Sequence, residues 1–323
     1  MSRRVLILGT GLIGASIGLA LKSVGPEFEG TVLGWDANPA ELAAAFKIGA
    51  IDGALSSREA ALEPGVADIY VLATPVLAIL DWMEQLAPVL SEAQLVTDAG
   101  STKQVIAEHA RKLFNQPGRA RFLPGHPMAG KESGGAALAE ATLFHRATWL
   151  FTPIDAAGGS AAPASSPVHT LEDIAESTRT RPLEKPATLE DYWRVLVSAM
   201  GANLQDIGPA AHDEVCAWVS HLPQMLSTAL AALLEDTFAD DPQRIAAVQA
   251  IGGRALRETT RLGSSPYSMW RDVAMTNTEA IEETLLALEQ RLAHIRENLR
   301  TPELREQFAV ANRFRATRPG AQK

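Results

Sequence analysis

The segment Val5-Leu-Ile-Leu-Gly-Thr-Gly-Leu-Ile-Gly14 constrains this chain more than any other. An apolar run ends in Gly9-x-Gly11-x-x-Gly14, and a helical pattern follows from Leu12 to about Lys22. Strand, glycine turn and helix in that order form the cradle that a nucleotide pyrophosphate needs. Gly9 permits the tight turn, Gly11 lets the backbone approach the phosphates, and Gly14 lets the helix pack close to the strand. The helix start offers unpaired N–H groups and a partial positive charge to an anion. Gly9, Thr10, Gly11, Leu12, Ile13 and Gly14 are therefore expected to line a cofactor site. Asp36 stands 22 residues after Gly14, at the end of a second strand pattern, Thr31-Val-Leu-Gly-Trp-Asp36. A carboxylate there accepts hydrogen bonds from ribose hydroxyls and repels a 2′-phosphate, which favours NAD over NADP. The bland alternative is a turn-forming Asp before Asn38-Pro39.

A chain of 323 residues has room for two domains. Its 46% hydrophobic and 21% charged residues describe a soluble globular protein. The net charge of −9 argues against nucleic acid or an anionic membrane as the main partner. A local Arg or Lys can still hold an anionic substrate. One cysteine, Cys216, rules out an intrachain disulfide framework and any multi-Cys metal site. It fits a reducing cytoplasm, and its apolar helical surroundings point to packing rather than nucleophilic chemistry. The His and Glu residues are too scattered for a metal site, with no HExxH-type spacing. Ser2-Arg3-Arg4 before an apolar run resembles a signal peptide, but the internal glycines favour the nucleotide fold. No other segment reaches membrane-spanning length without charges. A cytoplasmic location is expected.

Strand and helix patterns alternate through the first 150 or so residues. Strands are expected at Asp68–Ala73, Gln94–Asp98, Arg121–Pro124 and Thr148–Phe151, with helices at Pro39–Ile48, from Pro75 to Leu90 and from Thr102 to Phe114. Such alternation argues a parallel, doubly wound sheet. Residues 155–187 are rich in breakers and small residues and read as a flexible insertion. From Leu189 the period is helical, apart from the short Asn203-Leu-Gln-Asp-Ile207. Helices are expected over Tyr192–Met200, Pro209–Val219, Pro223–Asp236, Arg244–Ala255 and Thr276–Leu299. They are more apolar than a solvated face requires, which suggests a dimer interface. The expected organisation is a Rossmann domain at 1–154, the insertion, a helical domain at 188–300, and a basic tail at 301–323.

Three clusters fall where the sheet's carboxyl ends should be, which is where open α/β folds bind ligands. Thr74-Pro75 can set backbone groups beside a cofactor, or simply turn the chain. Val96-Thr-Asp-Ala-Gly-Ser-Thr-Lys103 places Ser101 either as a cap of the next helix or facing cofactor or substrate. Pro124-Gly-His-Pro-Met-Ala-Gly-Lys-Glu-Ser-Gly-Gly135 sets His126 on a rigid loop. An imidazole titrating near pH 6.5 suits proton removal from an alcohol being oxidised. The helical part adds His212-Asp213, Ser220-His-Leu-Pro-Gln224, Leu256-Arg-Glu-Thr-Thr-Arg261 and Ser265-Pro-Tyr-Ser-Met-Trp270. Arg257 and Arg261, four apart on one helix face, offer either a clamp for a substrate carboxylate or a surface salt bridge with Glu258 or a neighbour.

Taken together these motifs resemble the prephenate/arogenate dehydrogenase family of tyrosine biosynthesis. The resemblance covers roughly residues 4–153 and 188–300. Its carriers are GTGLIG, VTDAGSTK, GHPMAGKES, HDEVCAWVSHLPQ and RETTR with SPYSMW. It implies a Rossmann domain followed by a helical dimerisation domain, and a homodimer. It also implies oxidative decarboxylation, in which a hydride leaves the ring carbon bearing the 4-hydroxyl for NAD and the ring loses its carboxylate as carbon dioxide. Prephenate would give 4-hydroxyphenylpyruvate, and arogenate would give tyrosine. By resemblance, His126 accepts the hydroxyl proton, Ser101 contacts that hydroxyl and helps orient His126, and Arg261 anchors a substrate carboxylate. Glu132 resembles a residue that gates the pocket, and His221 and Trp270 line it. Many members read His-Leu-Pro-His where this chain reads His221-Leu-Pro-Gln224. Gln224 keeps hydrogen-bonding capacity but cannot become a cation, which could relax selection against the ammonium of arogenate.

Two other readings keep the nucleotide fold. A hydroxyacid or ketopantoate-type dehydrogenase would be expected to use a differently placed Lys, and it leaves GHPMAG unexplained. A non-catalytic NAD-sensing regulator would tolerate loss of His126, and the Ser101, His126 and Arg261 constellation argues against it.

Overall fold

The computed structural model describes residues 2–131, 133–154 and 186–317. The expected insertion lies outside the described residues except for positions 186 and 187, and Glu132 and Arg318 also lie outside them. The chain forms two compact units, Met1–Asn277 and Thr278–Lys323.

Six parallel strands organise the first unit: β1 (Arg3–Leu8), β2 (Gly30–Trp35), β3 (Gly53–Ala54), β4 (Ile69–Leu72), β5 (Leu95–Asp98) and β6 (Arg121–Leu123). Their order is β3-β2-β1-β4-β5-β6, the doubly wound arrangement expected. The strand order reverses between β1 and β4, so the ligand crevice opens beyond their carboxyl ends. β1 and β4 are fully buried from Val5 to Leu8 and from Ile69 to Leu72. Their side chains alternate between two cores. Val5, Ile7, Ile69 and Val71 feed one, and Leu6, Leu8, Tyr70 and Leu72 feed the other. An unbroken apolar run is what a strand covered on both faces requires. Helices α1 (Leu12–Ser23), α2 (Pro39–Lys47), α3 (Val76–Leu86) and α4 (Gln104–Leu113) complete the layers.

Two expectations need correction here. Thr148–Phe151 does not extend the parallel sheet. It is β8, the middle strand of a separate three-stranded sheet between β7 (Gly125–Pro127) and β9 (Asn203–Asp206). Pro124 ends the β6 ladder because it has no N–H to give, and its carbonyl instead accepts from Thr152 N at 3.0 Å. His126 therefore sits on a strand rather than a loop, paired antiparallel with Leu150.

The rest of the first unit is helical: Leu189–Ala199, Pro209–Cys216, Leu222–Phe238, Pro242–Ile251, Arg254–Thr260 and Tyr267–Thr276. Gly252-Gly253 breaks the helix expected over Arg244–Ala255 into two. The second unit holds helices Thr278–Glu297 and Glu303–Ala316, the latter within the stretch read as a tail. No described helix is long and apolar enough to cross a membrane.

The glycine turn shows why its residues are not interchangeable. A Cβ on Gly14 would lie 1.9 Å from the Gly9 carbonyl oxygen, whereas one on Gly11 would meet nothing within 4 Å. Gly14→Ala should destabilise the protein by about 1–3 kcal/mol through overpacking. Gly11→Ala should melt like the parent and lose nucleotide affinity. Thermal unfolding with and without dinucleotide checks both, and an unchanged melting temperature for Gly14→Ala would contradict the close helix–strand contact.

Candidate active site

The nucleotide cradle forms at the carboxyl ends of β1, β2 and β4. Gly9 has φ +95° and packs so close to β4 that a Cβ would touch the Ala73 carbonyl oxygen at 2.6 Å. Gly11 is the N-cap of α1 and gives it no side-chain cap, and a Cβ placed there would meet nothing within 4 Å, so the helix start is left for a ligand to approach. Thr74 Oγ1 is buried without a hydrogen-bond partner among the described residues, leaving a hydroxyl for a ligand. Pro75 is the N-cap of α3. Thr10 and Leu12 are buried and Ile13 packs on the core, so this turn presents backbone rather than side chains. The Asp36 carboxylate accepts from Thr10 N at 2.6 Å and from Asn38 N at 2.8 Å. The turn role is thus real, and the same carboxylate also pins the glycine loop. An uncapped helix start, a glycine without neighbours and an orphan hydroxyl together fit a dinucleotide.

His126 lies at the carboxyl end of β5, where Gly125 N donates to Asp98 Oδ1 at 3.1 Å. Its Nδ1 is 2.9 Å from Nε2 of His212. Nδ1 of His212 is 2.7 Å from Asp213 Oδ1. Asp213 also accepts from Lys103 N at 2.7 Å and Gln104 N at 2.8 Å, so it caps α4 from another helix. Ser101 therefore does not cap α4; that helix begins at Gln104, beyond its reach. Lys103 Nζ donates to Asp98 Oδ2 at 2.5 Å, with both side chains fully buried. Burial, and then the neighbouring His212, Lys103 and His221, hold His126 well below the usual imidazole range. Burial also lowers His212, outweighing the Asp213 hydrogen bond that opposes it. Burial pushes the Cys216 thiol up to about 12, so it stays protonated 3.6 Å from His212 Nε2. The donor atoms of His126, His212 and Cys216 lie within 4.8 Å of one another. The protonated thiol can serve there as a weak hydrogen-bond donor.

The remaining candidates come from the helical part. After Cys216 the helix widens into a π turn, Ala217–His221, where Leu222 N–H reaches back to the Ala217 carbonyl. Pro223 explains it, because it has no N–H for the Val219 carbonyl and its ring crowds that oxygen. His221, 1% exposed, leaves this turn with Nδ1 3.2 Å from Asn277 Nδ2. An amide N–H can only donate, so Nδ1 accepts and the ring proton rests on Nε2. Burial lowers His221 to about 4. The Trp270 ring stands edge-on to it at 5.8 Å, with a buried indole N–H that has no partner among the described residues.

Gln224 is 4% exposed and committed to its own chain. Its Nε2 donates to the Leu262 carbonyl at 2.7 Å and to Thr228 Oγ1 at 3.1 Å, and its Oε1 accepts from Ser265 Oγ at 3.2 Å. These bonds hold the 3₁₀ turn Arg261–Ser264. Arg261 thus opens a separate turn rather than sharing a helix face with Arg257, since the helix ends at Thr260. Glu258 pairs with Arg254 at 2.6 Å. His126, His212, His221 and Trp270 are brought into one cluster, and Gln224 bonds the turn that Arg261 opens. Sequence reasoning gave no role to His212, Asp213, Asn277 or Lys103. The adjacent pair His212-Asp213 was the available signal.

Two family profiles match the chain. One described as "Prephenate dehydrogenase, nucleotide-binding domain" matches residues 17–190, and one described as "Prephenate dehydrogenase, dimerization domain" matches residues 208–311. A prephenate dehydrogenase from Lactococcus lactis subsp. cremoris is 31% identical over 294 residues, covering 91% of this chain and 70% of that protein. The crystal structure of Aquifex aeolicus prephenate dehydrogenase in complex with hydroxyphenyl propionate and NAD+ is 25% identical, with TM-score 0.73, covering 97% of this chain and 96% of that one. Synechocystis arogenate dehydrogenase is 27% identical, with TM-score 0.67, over 97% and 99% of the two chains. Sequence, fold and site geometry lead to one conclusion: this chain belongs to the prephenate dehydrogenase family.

Proposed function

We propose that this enzyme catalyses the NAD-dependent oxidative decarboxylation of prephenate. The observation that carries the mechanism is His126, a buried neutral imidazole at the carboxyl end of the sheet that also carries the nucleotide cradle. NAD, when bound, supplies the hydride acceptor. Gly9 to Gly14 hold its pyrophosphate, Asp36 its ribose, and Thr74 a polar group nearby. His126 takes the proton of the 4-hydroxyl as the ring carbon gives up its hydride, and Ser101 orients that hydroxyl. Loss of the ring carboxylate as carbon dioxide then sends electrons back to the oxygen, and His126 returns the proton to the new phenol. Protons balance, so the histidine is unchanged after turnover. Aromatisation makes the sequence downhill, and the protein mainly has to position the reactants.

Arg261 anchors a substrate carboxylate, held in place by the Gln224 bonds to its turn. His221 presents Nε2–H, and Trp270 its indole N–H, to the substrate's polar groups. Glu132 gates the pocket. The helical part pairs two copies into a homodimer, which would cover exposed apolar side chains such as Trp218, Leu233 and Ile251. Gln224 supplies no cation against the ammonium of arogenate, so that substrate is the second candidate. Assays with prephenate and arogenate in parallel, followed by NADH absorbance, test the reading. Turnover with neither, despite NAD binding, would overturn it.

His126→Asn should lower kcat at least about 100-fold with little change in NAD affinity. Normal turnover would remove His126 from the mechanism. Arg261→Ala should raise KM about 30-fold or more, because losing one partner of a desolvated charge pair costs about 2–5 kcal/mol. An unchanged KM would move the anchor elsewhere.

The pH dependence has a definite sign. His126, His212 and His221 are all held below the ordinary imidazole value of 6.5, His221 at about 4. The unfolded chain therefore binds more protons than the folded one as pH falls from 6.5 toward 4, and stability declines across that window. The neutral base is already the dominant form at pH 6.5. The acid limb of kcat/KM should lie well below 6.5, and a limb at or above that value would contradict the burial of His126.

A further inference from the structure

We infer that Asp213 and His212 decide which nitrogen of His126 carries the proton, leaving the lone pair on Nε2 for the substrate hydroxyl. His212 is then a positioning residue for the proton transfer. The inference rests on the reading of His126 as the base.

The direction of each bond follows from what each group can do. Asp213 accepts two backbone N–H groups at the start of α4, from Lys103 and Gln104, as an ionised carboxylate does. The facing Nδ1 of His212 must therefore donate. A neutral imidazole has one N–H, so Nε2 of His212 carries a lone pair. Two groups face that lone pair, His126 Nδ1 at 2.9 Å and Cys216 Sγ at 3.6 Å. The thiol donates weakly, and His126 Nδ1 must carry a proton, since two opposed lone pairs at that distance would repel. His126 Nε2 is then the basic atom, and no described residue takes it.

The reverse chain needs an imidazolium at His212, donating from both nitrogens. Burial and the adjacent Lys103 ammonium oppose that charge. Asn277 makes the same kind of choice for His221, whose Nδ1 accepts and whose Nε2 keeps the proton. The two imidazoles are thus set as opposite tautomers, one offering a base and the other a donor. When His126 takes the hydroxyl proton, its Nδ1–H bond to His212 becomes charge-assisted. His212 passes that polarisation to Asp213 without itself losing a proton, and the return of the proton to the phenol restores the starting state.

The test reads the tautomers directly. Full-length protein labelled with ¹⁵N at histidine would be examined by long-range ¹H–¹⁵N correlation, with signals assigned from His126→Asn and His212→Gln variants. The expected result is a proton on Nδ1 of His126 in the parent protein. A proton on Nε2 would overturn the inference, whatever substrate the enzyme proves to use. Kinetics supply the second arm. His212→Leu removes the acceptor and should lower kcat about 100-fold with KM nearly unchanged. His212→Gln keeps a carbonyl acceptor for His126 Nδ1–H and should recover much of that loss. A role in packing alone predicts the opposite order, with Leu tolerated as well as Gln, and that order would overturn the inference. Asp213→Asn should mix the His126 tautomers, with circular dichroism showing whether α4 survives loss of its cap. If that variant does not fold, the parent spectrum and the two His212 variants still decide. Absence of turnover on prephenate and arogenate, with Nδ1 of His126 protonated, would overturn the proposed reaction and leave the tautomer assignment standing.

Discussion

One carboxylate, that of Asp213, holds this site together. It is 3% exposed and accepts three hydrogen bonds, two from the start of α4 and one from His212. Desolvating a carboxylate costs several kcal/mol unless donors replace the lost water. Here the donors are the orphan N–H groups of a helix start, which carry partial positive charge and need acceptors of their own. Each side meets the other's requirement. The cap joins the nucleotide-binding sheet to the helical part, and the same atoms fix the imidazole behind His126.

A second carboxylate repeats the device. Asp272 Oδ2 accepts from Leu77 N in the first turn of α3 at 3.1 Å, while its Oδ1 pairs with Arg271. Neither α3 nor α4 has a side-chain cap at its own N-cap residue. Thr102 and Thr276 add a hydroxyl–hydroxyl contact of 2.8 Å along the same seam. The helical part is thus bonded to the sheet through helix starts next to the site, and mispacking there would expose buried donors as well as apolar surface.

How much of this was legible in the sequence depends on distance along the chain. The glycine turn, the apolar strands and the doubly wound order were legible because each rests on local pattern. The same holds for the helical second half and for the family. The second sheet was not, because a short apolar run such as Thr148–Phe151 does not say which sheet it joins, and Pro124 makes that choice through its missing N–H. The cap of α4 was not, because its acceptor lies 110 residues away from the first N–H it takes. Ser101 had the right side chain for a cap, and the helix starts past it. Gln224 read as a residue facing substrate, yet its amide is spent on Leu262, Thr228 and Ser265. The contact of His212 with His126 needed the atoms themselves, since a spacing of 86 residues carries no local pattern.

The π turn at Ala217–His221 has a geometric consequence. His212 and His221 are nine residues apart on a nearly continuous helix. At about 100° per residue, uniform α pitch would place them about 180° apart, so one ring would face away from the site. A turn closed over five residues absorbs one extra residue, and the nine then behave angularly like about eight, which leaves them about 80° apart. Both rings can then point inward from one helix. The lesion that Pro223 imposes on the backbone is the phase shift by which a single helix delivers one imidazole behind His126 and another beside Trp270.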